Sequence, residues 1–273
     1  MSNNTISNIA GGLVRKLRGL TRNKYRAVGF SWPKEIMVKH LPEQGIRTIS
    51  LFGKQLTFNG SGNLLHSLQE LFLEDIYQQP LKENAYILDC GANIGLSVIY
   101  LKRLCPTATI VAFEPDETNY SLLQKNIGSF GLTNVEAVKA AIWTEETTLH
   151  FMSEGSLGSR IADGSVGQPV QVRAVRLKDY LDRPVDFLKI DIEGAEYAVL
   201  KDVGDRIKLA EKVFIEYHGS YAQNKELNDI LQWVVEHGFR YYIKEAGNMH
   251  APFTHAGNPG GFDVQLNIFC TRL

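Results

Sequence analysis

Residues 86–114 leave this chain few folds to choose from. They read Tyr86-Ile-Leu-Asp-Cys-Gly-Ala-Asn-Ile-Gly-Leu-Ser97, then an amphipathic run with Leu96, Ile99, Tyr100 and Leu104 at helical spacing, a stop at Pro106, and Thr109-Ile-Val-Ala-Phe-Glu114-Pro115. A short apolar run bounded by turn residues fits a buried strand. The i, i+3, i+4 spacing that follows fits a helix resting on it. Strand, glycine turn, helix and strand make the unit from which open parallel sheets with nucleoside sites are built.

Gly91 and Gly95 permit backbone angles closed to other residues and let a ligand approach the main chain. Glu114 closes the second strand, 23 residues after Gly91 (114 − 91). A carboxylate there can accept hydrogen bonds from both hydroxyls of a ribose. The turn reads Gly-x-x-x-Gly, not the Gly-x-Gly-x-x-Gly that seats a pyrophosphate on a helix N-terminus. Asp89, just before the first glycine, repels phosphate and suits a cation. A ribose-bearing cofactor with a positive centre and no phosphate fits best, and S-adenosylmethionine is such a molecule. The plain alternative is a glycine turn that holds no ligand.

The totals set limits on partners and compartment. At 273 residues the chain suits one α/β domain plus an extension. A net charge of −1 provides no global field for nucleic acid or an anionic membrane. No apolar run reaches transmembrane length, and the N-terminus lacks the hydrophobic core of a signal peptide. Cys90, Cys105 and Cys270 have no paired spacing, so neither a disulfide framework nor a zinc site is expected. The cytoplasm is the expected compartment, with attachment to the inner face of the membrane as a variant of it.

Three segments follow from the patterning: an N-terminal extension at 1–45, a hairpin and helix cap at 46–82, and a cofactor-binding domain at 83–273. Ile6, Ile9, Leu13, Leu17 and Leu20 fall at helical spacing, beside a basic run from Arg15 to Arg26. Such a helix is expected to dock its apolar stripe on its own domain. Contact of residues 6–26 with a membrane surface or a partner is the alternative. Arg47–Phe52 and Lys54–Phe58 predict a hairpin about Gly53, and Leu64–Tyr77 a helix. Beyond Glu114, a helix is expected over Thr118–Phe130 and a strand over Asn134–Lys139. Small residues at Ala140 and Ala141 can leave a slot for a flat base. The Gly/Ser-rich stretch from Ser153 to Gly167 carries Arg160, a candidate for facing substrate.

Val185-Asp-Phe-Leu-Lys-Ile-Asp-Ile-Glu-Gly-Ala-Glu196 is the second informative stretch. A buried strand runs into Asp191, which should lie at the cofactor crevice. Glu193 and Glu196 follow near a helix start, where acids also serve as caps. Lys212–Tyr217 predicts a fifth strand, with His218 directly after it. A helix over Lys225–His237 and strands over Phe239–Ile243 and Asp263–Thr271 complete the sheet. Two terminal strands joined by a loop imply one antiparallel strand at or near the edge.

From about Tyr86 to His218 the chain resembles the FkbM family of S-adenosylmethionine-dependent methyltransferases. The resemblance rests on Ile87–Gly95, Val111-Ala-Phe-Glu-Pro115, Arg176-Leu-Lys-Asp-Tyr180 and Phe187–Glu196. It implies an α/β class I methyltransferase fold, Rossmann-like and doubly wound. Its seven-stranded sheet would have the order 3-2-1-4-5-7-6, with strand 7 antiparallel. It implies methyl transfer to hydroxyls of sugars or polyketides. Carried over by position, Asp89, Gly91, Asn93 and Gly95 would line the methionine half of the cofactor, and Ser97 would touch its carboxylate. Glu114 would hold the ribose, with Asp116 and Asn119 close by. Ala141 or Ile142 would flank the adenine, and Asp191 would border the sulfonium.

Methyl transfer needs positioning of the acceptor oxygen and a base for its proton. Asp191 and His218 are the candidates, with Glu193, Glu196 and Arg160 orienting acceptor hydroxyls. The acceptor is expected to be a small molecule or glycan and not nucleic acid. The fourth strand also lacks the Asn/Asp-Pro-Pro-aromatic motif of nucleic-acid enzymes. No metal ligand is assigned. Asp191 and the nearby glutamates could hold a hard cation, but no histidine or asparagine spacing strengthens that reading. A non-catalytic module of the same fold is the rival.

Overall fold

The computed structural model describes residue 25 and residues 28–152, 160–161, 169–247, 252–254 and 261–273. The amphipathic segment at 6–20 and most of the 153–167 stretch lie outside the described residues. The chain divides into two compact units, Met1–Gln78 and Gln79–Leu273.

The first unit holds α1 (Trp32–Lys39), β1 (Ile46–Leu51), β2 (Lys54–Asn59) and α2 (Ser61–Phe72). Leu51 pairs with Lys54, so the hairpin turns on Phe52 and Gly53, at φ 51° and 75°. Two successive positive φ values make the turn whose twist matches that of the strands. Phe52 is held in that unfavoured region by its N–H to the Val28 carbonyl, 3.0 Å, and by edge contact with the Phe72 ring. The helix expected to reach Tyr77 stops at Phe72. Asp75 enters the left-handed region, at φ 50°, and the helical pairing ends before it.

The second unit runs β3 (Tyr86–Cys90), α3 (Leu96–Leu104), β4 (Thr109–Phe113), α4 (Glu117–Phe130), β5 (Val135–Val138), β6 (Ala141–Trp143), β7 (Thr147–Met152), β8 (Arg160–Ile161) and β9 (Pro169–Arg176). It continues with α5 (Leu177–Tyr180), β10 (Phe187–Ile190), α6 (Glu196–Val203), β11 (Lys212–Gly219), α7 (Asn224–Glu236), β12 (Phe239–Glu245) and β13 (Val264–Arg272). The main sheet has the order β12-β13-β11-β10-β3-β4-β5. Numbered by its own strands, this is the expected 3-2-1-4-5-7-6. The strand antiparallel to its neighbours is β13, one place in from the edge. A smaller sheet, β6-β9-β7-β8, is formed between β5 and β10 in sequence.

Strand alternation sorts the main sheet into two faces. Leu88, Cys90, Leu188, Ile190, Val213, Ile215, Tyr217, Ile268 and Cys270 enter one apolar core with Val199, Leu200 and Val203 of α6. The intervening residues Asp89, Lys189, Glu216, His218 and Asn267 therefore point to the opposite face. His218 lies within β11 and not after it, because pairing with β13 continues to Gly219 opposite Val264. The three cysteines are buried and free. No described helix is long and apolar enough to cross a membrane.

Candidate active site

The crevice opens where the chain leaves β3 in one direction and β10 in the other. Such a reversal separates the loops at the carboxyl ends of the strands and leaves room for a ligand. The loop after β3 is pinned to β4: the N–H groups of Gly91 and Ala92 donate to the Phe113 carbonyl at 3.0 and 2.8 Å. Gly91 has φ 89°, and a Cβ there would come within 1.8 Å of the Asp191 carbonyl oxygen. Only glycine lets these two loops approach so closely.

Glu114 is 5 % exposed, and its carboxylate faces back toward this loop. Oε2 accepts from the Asn93 N–H at 2.8 Å and Oε1 from the Asp116 N–H at 2.9 Å. Burial pushes its pKa up to about 7, against the lowering effect of those two N–H groups. Asn93 itself sits at φ 49°, and its side-chain oxygen accepts from the Ile94 N–H. Gly95, at φ 89°, is the N-cap of α3. Asp116 caps α4 by accepting from the Asn119 N–H at 2.9 Å.

Asp89 is fully buried. Its Oδ2 accepts from Ser97 Oγ at 2.6 Å. Its Oδ1 lies 3.3 Å from Lys189 Nζ, an ion pair without hydrogen-bond geometry. Lys189 donates to the Gly91 carbonyl at 2.7 Å and pairs with Asp191 Oδ2 at 3.1 Å. One buried ammonium thus ties β3, its glycine loop and the end of β10 together. Lys189 is a site residue to which no motif in the sequence gives a role. Its signal was a charged residue at the alternate position of an apolar strand, on the face of Asp191.

The ends of β10 and β11 gather acids around one imidazole. Asp191 follows β10 directly, and Glu193 stands at φ 56°. Glu196 is 1 % exposed, and its Oε1 accepts from the N–H groups of Ile192 and Gly194 at 3.2 and 3.1 Å. The same oxygen meets His218 Nδ1 at 3.1 Å. His218 Nε2 faces Glu193 Oε2 at 3.8 Å and Glu216 Oε1 at 3.7 Å. Burial alone would lower the histidine's pKa. The Glu196 hydrogen bond and the charges of Glu196, Glu193 and Asp191 outweigh it and hold the pKa at about 10.

Asp191, Glu193, Glu196 and His218 are thus assembled in one place. Glu196 spends its engaged oxygen inside the protein, where a hydroxyl-orienting role was expected of it. Glu216 was passed over in sequence and joins the group because it is two residues from His218 on one strand. Ala141 and Ile142 form the start of β6, paired with Ala174 and Val175, and both are buried. Arg160 is placed by its backbone alone, in β8 opposite Met152.

These residues fit the cofactor read from sequence. Glu114 is a buried carboxylate fed by two backbone N–H groups, with lone pairs left for a diol. A mainly parallel sheet in the order 3-2-1-4-5-7-6, with strand 7 antiparallel, a glycine turn after its first strand and a carboxylate closing its second, defines the class I methyltransferase fold.

Residues 89–241 match the Methyltransferase FkbM domain, more than half of the chain, and the protein belongs to that family. It is 28 % identical over 190 residues to Methyltransferase 1 of Beauveria bassiana (strain ARSEF 2860), covering 58 % of this chain and 76 % of that one. It is 31 % identical over 187 residues to Methyltransferase sdnD of Sordaria araneosa, covering 54 % of this chain and 72 % of that one. The solved structure of an FkbM methyltransferase from Methylobacillus flagellatus KT shares the fold, with a TM-score of 0.50 and 17 % identity. That likeness covers 75 % of this chain and 47 % of the solved one, so the chain spans about half its length. The protein is a methyltransferase, and its family implies S-adenosylmethionine as the methyl source.

Proposed function

We propose that this protein is an S-adenosylmethionine-dependent O-methyltransferase whose acceptor is a hydroxyl of a saccharide, either a glycan or a glycosylated small metabolite. The observation that carries the reading is the junction of two unlike half-sites. Glu114 and the glycine loop suit a ribose, and Asp191 and Glu193, partly open to solvent, adjoin them through Lys189 and Gly91. Carboxylates are the natural acceptors for the many hydroxyl donors of a sugar. A net charge of −1 supports a small or glycan acceptor over nucleic acid. The N-terminal basic segment remains proposed as a contact for a membrane surface or a partner.

When bound, S-adenosylmethionine supplies a methyl group on a sulfonium that departs as a neutral thioether. Glu114 would take the ribose hydroxyls, with Asn93, Asp116 and Asn119 shaping its surroundings. Gly91 and Gly95 would admit the methionine portion to the main chain, over Asp89 and Ser97. Ala141 and Ile142 remain assigned to the adenine side. Asp191 would accept the proton of the attacking hydroxyl, and its side chain is 25 % exposed, open to the crevice. Glu193 and Arg160 would orient neighbouring hydroxyls. Glu196 would act through His218, which it holds in place and, with Glu193 and Asp191, keeps protonated at neutral pH, a donor toward an acceptor oxygen and not the base.

The test is methyl transfer from isotopically labelled S-adenosylmethionine to a panel of monosaccharides, glycosides and hydroxylated metabolites, read by mass spectrometry. An O-methylated glycoside is expected, with the rate cut roughly 100-fold or more in Asp191→Ala. Labelling of nitrogen or carbon acceptors only, by an enzyme that binds its cofactor, would overturn the O-methyl assignment.

A further inference from the structure

We propose that Asp191, Glu193 and His218 form a divalent-cation site, backed by Glu216, whose open positions take a hydroxyl oxygen of the acceptor. The cation site stands on the geometry alone, and the acceptor part rests on the methyltransferase reading above. One donor atom from each of the three residues lies within 4.8 Å of the others. Donors around a hard ion with bonds of about 2.1 Å stand about 3 Å apart, so binding would draw these atoms inward by roughly 1–2 Å.

The histidine is the first reason to expect a cation. His218 is nearly enclosed, with a side-chain exposure of 3 %. Its Nδ1 is engaged by Glu196, which aims Nε2 at the carboxylates. Among the described residues Nε2 meets only oxygens beyond hydrogen-bonding distance, at 3.7 and 3.8 Å. A carboxylate fixing one ring nitrogen while the other faces a group of oxygens is the arrangement that orients histidine toward a metal, and the incoming cation would displace the Nε2 proton to solvent.

Asn267 is a separate observation. It lies opposite Glu216 in the β11–β13 register, and directly opposed residues share a face. Asn267 is 1 % exposed, and neither its amide nitrogen nor its amide oxygen has a hydrogen-bond partner. Glu196 Oε2 is likewise buried without one. Buried polar groups in native proteins are almost always satisfied, by water or an ion where protein does not suffice. A hydrated cation beside Glu216 would supply ordered water to this face.

Charge points the same way. Asp191, Glu193, Glu196 and Glu216 face His218 and Lys189, and Lys189 is shared with Asp89. Lys189 engages Asp191 through Oδ2, and a carboxylate has a second oxygen to offer. Three carboxylates and one imidazole favour Mn²⁺ or Mg²⁺ over the thiolate-seeking metals. Asp191 and Glu193 are about a quarter exposed, at 25 % and 24 %, which keeps coordination positions open to the crevice.

The test uses the full chain, freed of metal with a chelator and titrated with Mn²⁺ while the free ion is read by electron paramagnetic resonance. One saturable site per chain is expected. Glu193→Gln and His218→Asn should each weaken it at least 10-fold, with circular dichroism unchanged. The exposed Glu145→Gln should leave it as it was. Bound Mn²⁺ should also show a nitrogen coupling that disappears in His218→Asn. No saturable binding up to about 1 mM, or binding indifferent to both substitutions, would overturn the cation site. The titration contains no methyl donor. A failure here with S-adenosylhomocysteine still bound would therefore leave the methyltransferase reading standing.

Discussion

At the ends of β3 and β4, Glu114 finds both its N–H donors within its own βαβ neighbourhood, from Asn93 and Asp116. At the ends of β10 and β11, acids from two separate segments crowd one histidine, and buried atoms of Glu196 and Asn267 are left without partners. The first half is a buried carboxylate with both its N–H donors in place, the half proposed above to hold a neutral diol. The second is a concentration of negative charge held ready for something positive or rich in hydroxyls. The difference teaches that one crevice can join a locally satisfied carboxylate to a half whose acids are assembled from distant segments and left electrostatically demanding. The seam between the halves is Gly91 under Asp191, stitched by Lys189.

Breaking the seam should have the largest effect. Gly91→Ala places a methyl group on a backbone oxygen and forces a side chain into the left-handed region. It should cost about 4 kcal/mol or more, read as a collapse of the thermal midpoint. Gly131→Ala has positive φ too, but nothing lies within 4 Å of its Cβ, so about 1 kcal/mol is expected there. Equal losses at both positions would mean that strain alone, and not the meeting of the halves, makes Gly91 necessary.

Removing the brace of the acidic half comes next. Glu196→Ala strips one acceptor from the N–H groups of Ile192 and Gly194 and from His218, at an expected cost of about 3 kcal/mol. Glu196→Gln retains an acceptor oxygen and should recover about half of that in chemical denaturation. If the two variants are equally stable, Glu196 does not organise this half.

The smallest effect sharpens the contrast from the cofactor side. Glu114 has a folded pKa raised from 4.5 to about 7. The folded state therefore holds an extra proton between those values, and stability falls as pH rises from about 4.5 to 7, then levels off. Cofactor affinity should run the opposite way, weakening as pH drops below about 7, because the ionised carboxylate is the stronger acceptor. Calorimetry across pH 5.5–8.5 checks this, and Glu114→Gln should flatten the profile.

Legibility followed the same division. The half proposed for the cofactor could be located because Gly91, Gly95 and Glu114 sit in one short segment whose period changes from strand to helix and back. Sheet order was readable for the same local reason, repeated along the chain. His218 could be nominated but not placed, since its neighbours come from a strand end 27 residues earlier (218 − 191). Asn267 gave no local signal, because only the β11–β13 register puts it on the face of Glu216 and His218. Lys189 was visible as a lysine within an apolar strand, yet its partners Asp89 and Gly91 are 100 and 98 residues away (189 − 89, 189 − 91). The helix end at Phe72 was missed because apolar spacing continued past the residues where the backbone turned.

The most direct test of the two-half account is calorimetric titration of S-adenosylhomocysteine into the wild type, Glu114→Ala and Asp191→Asn. The account predicts micromolar binding by the wild type, a loss of about 10-fold or more in Glu114→Ala, and a change within about 3-fold in Asp191→Asn. No binding by folded wild type, or equal weakening in both variants, would contradict it.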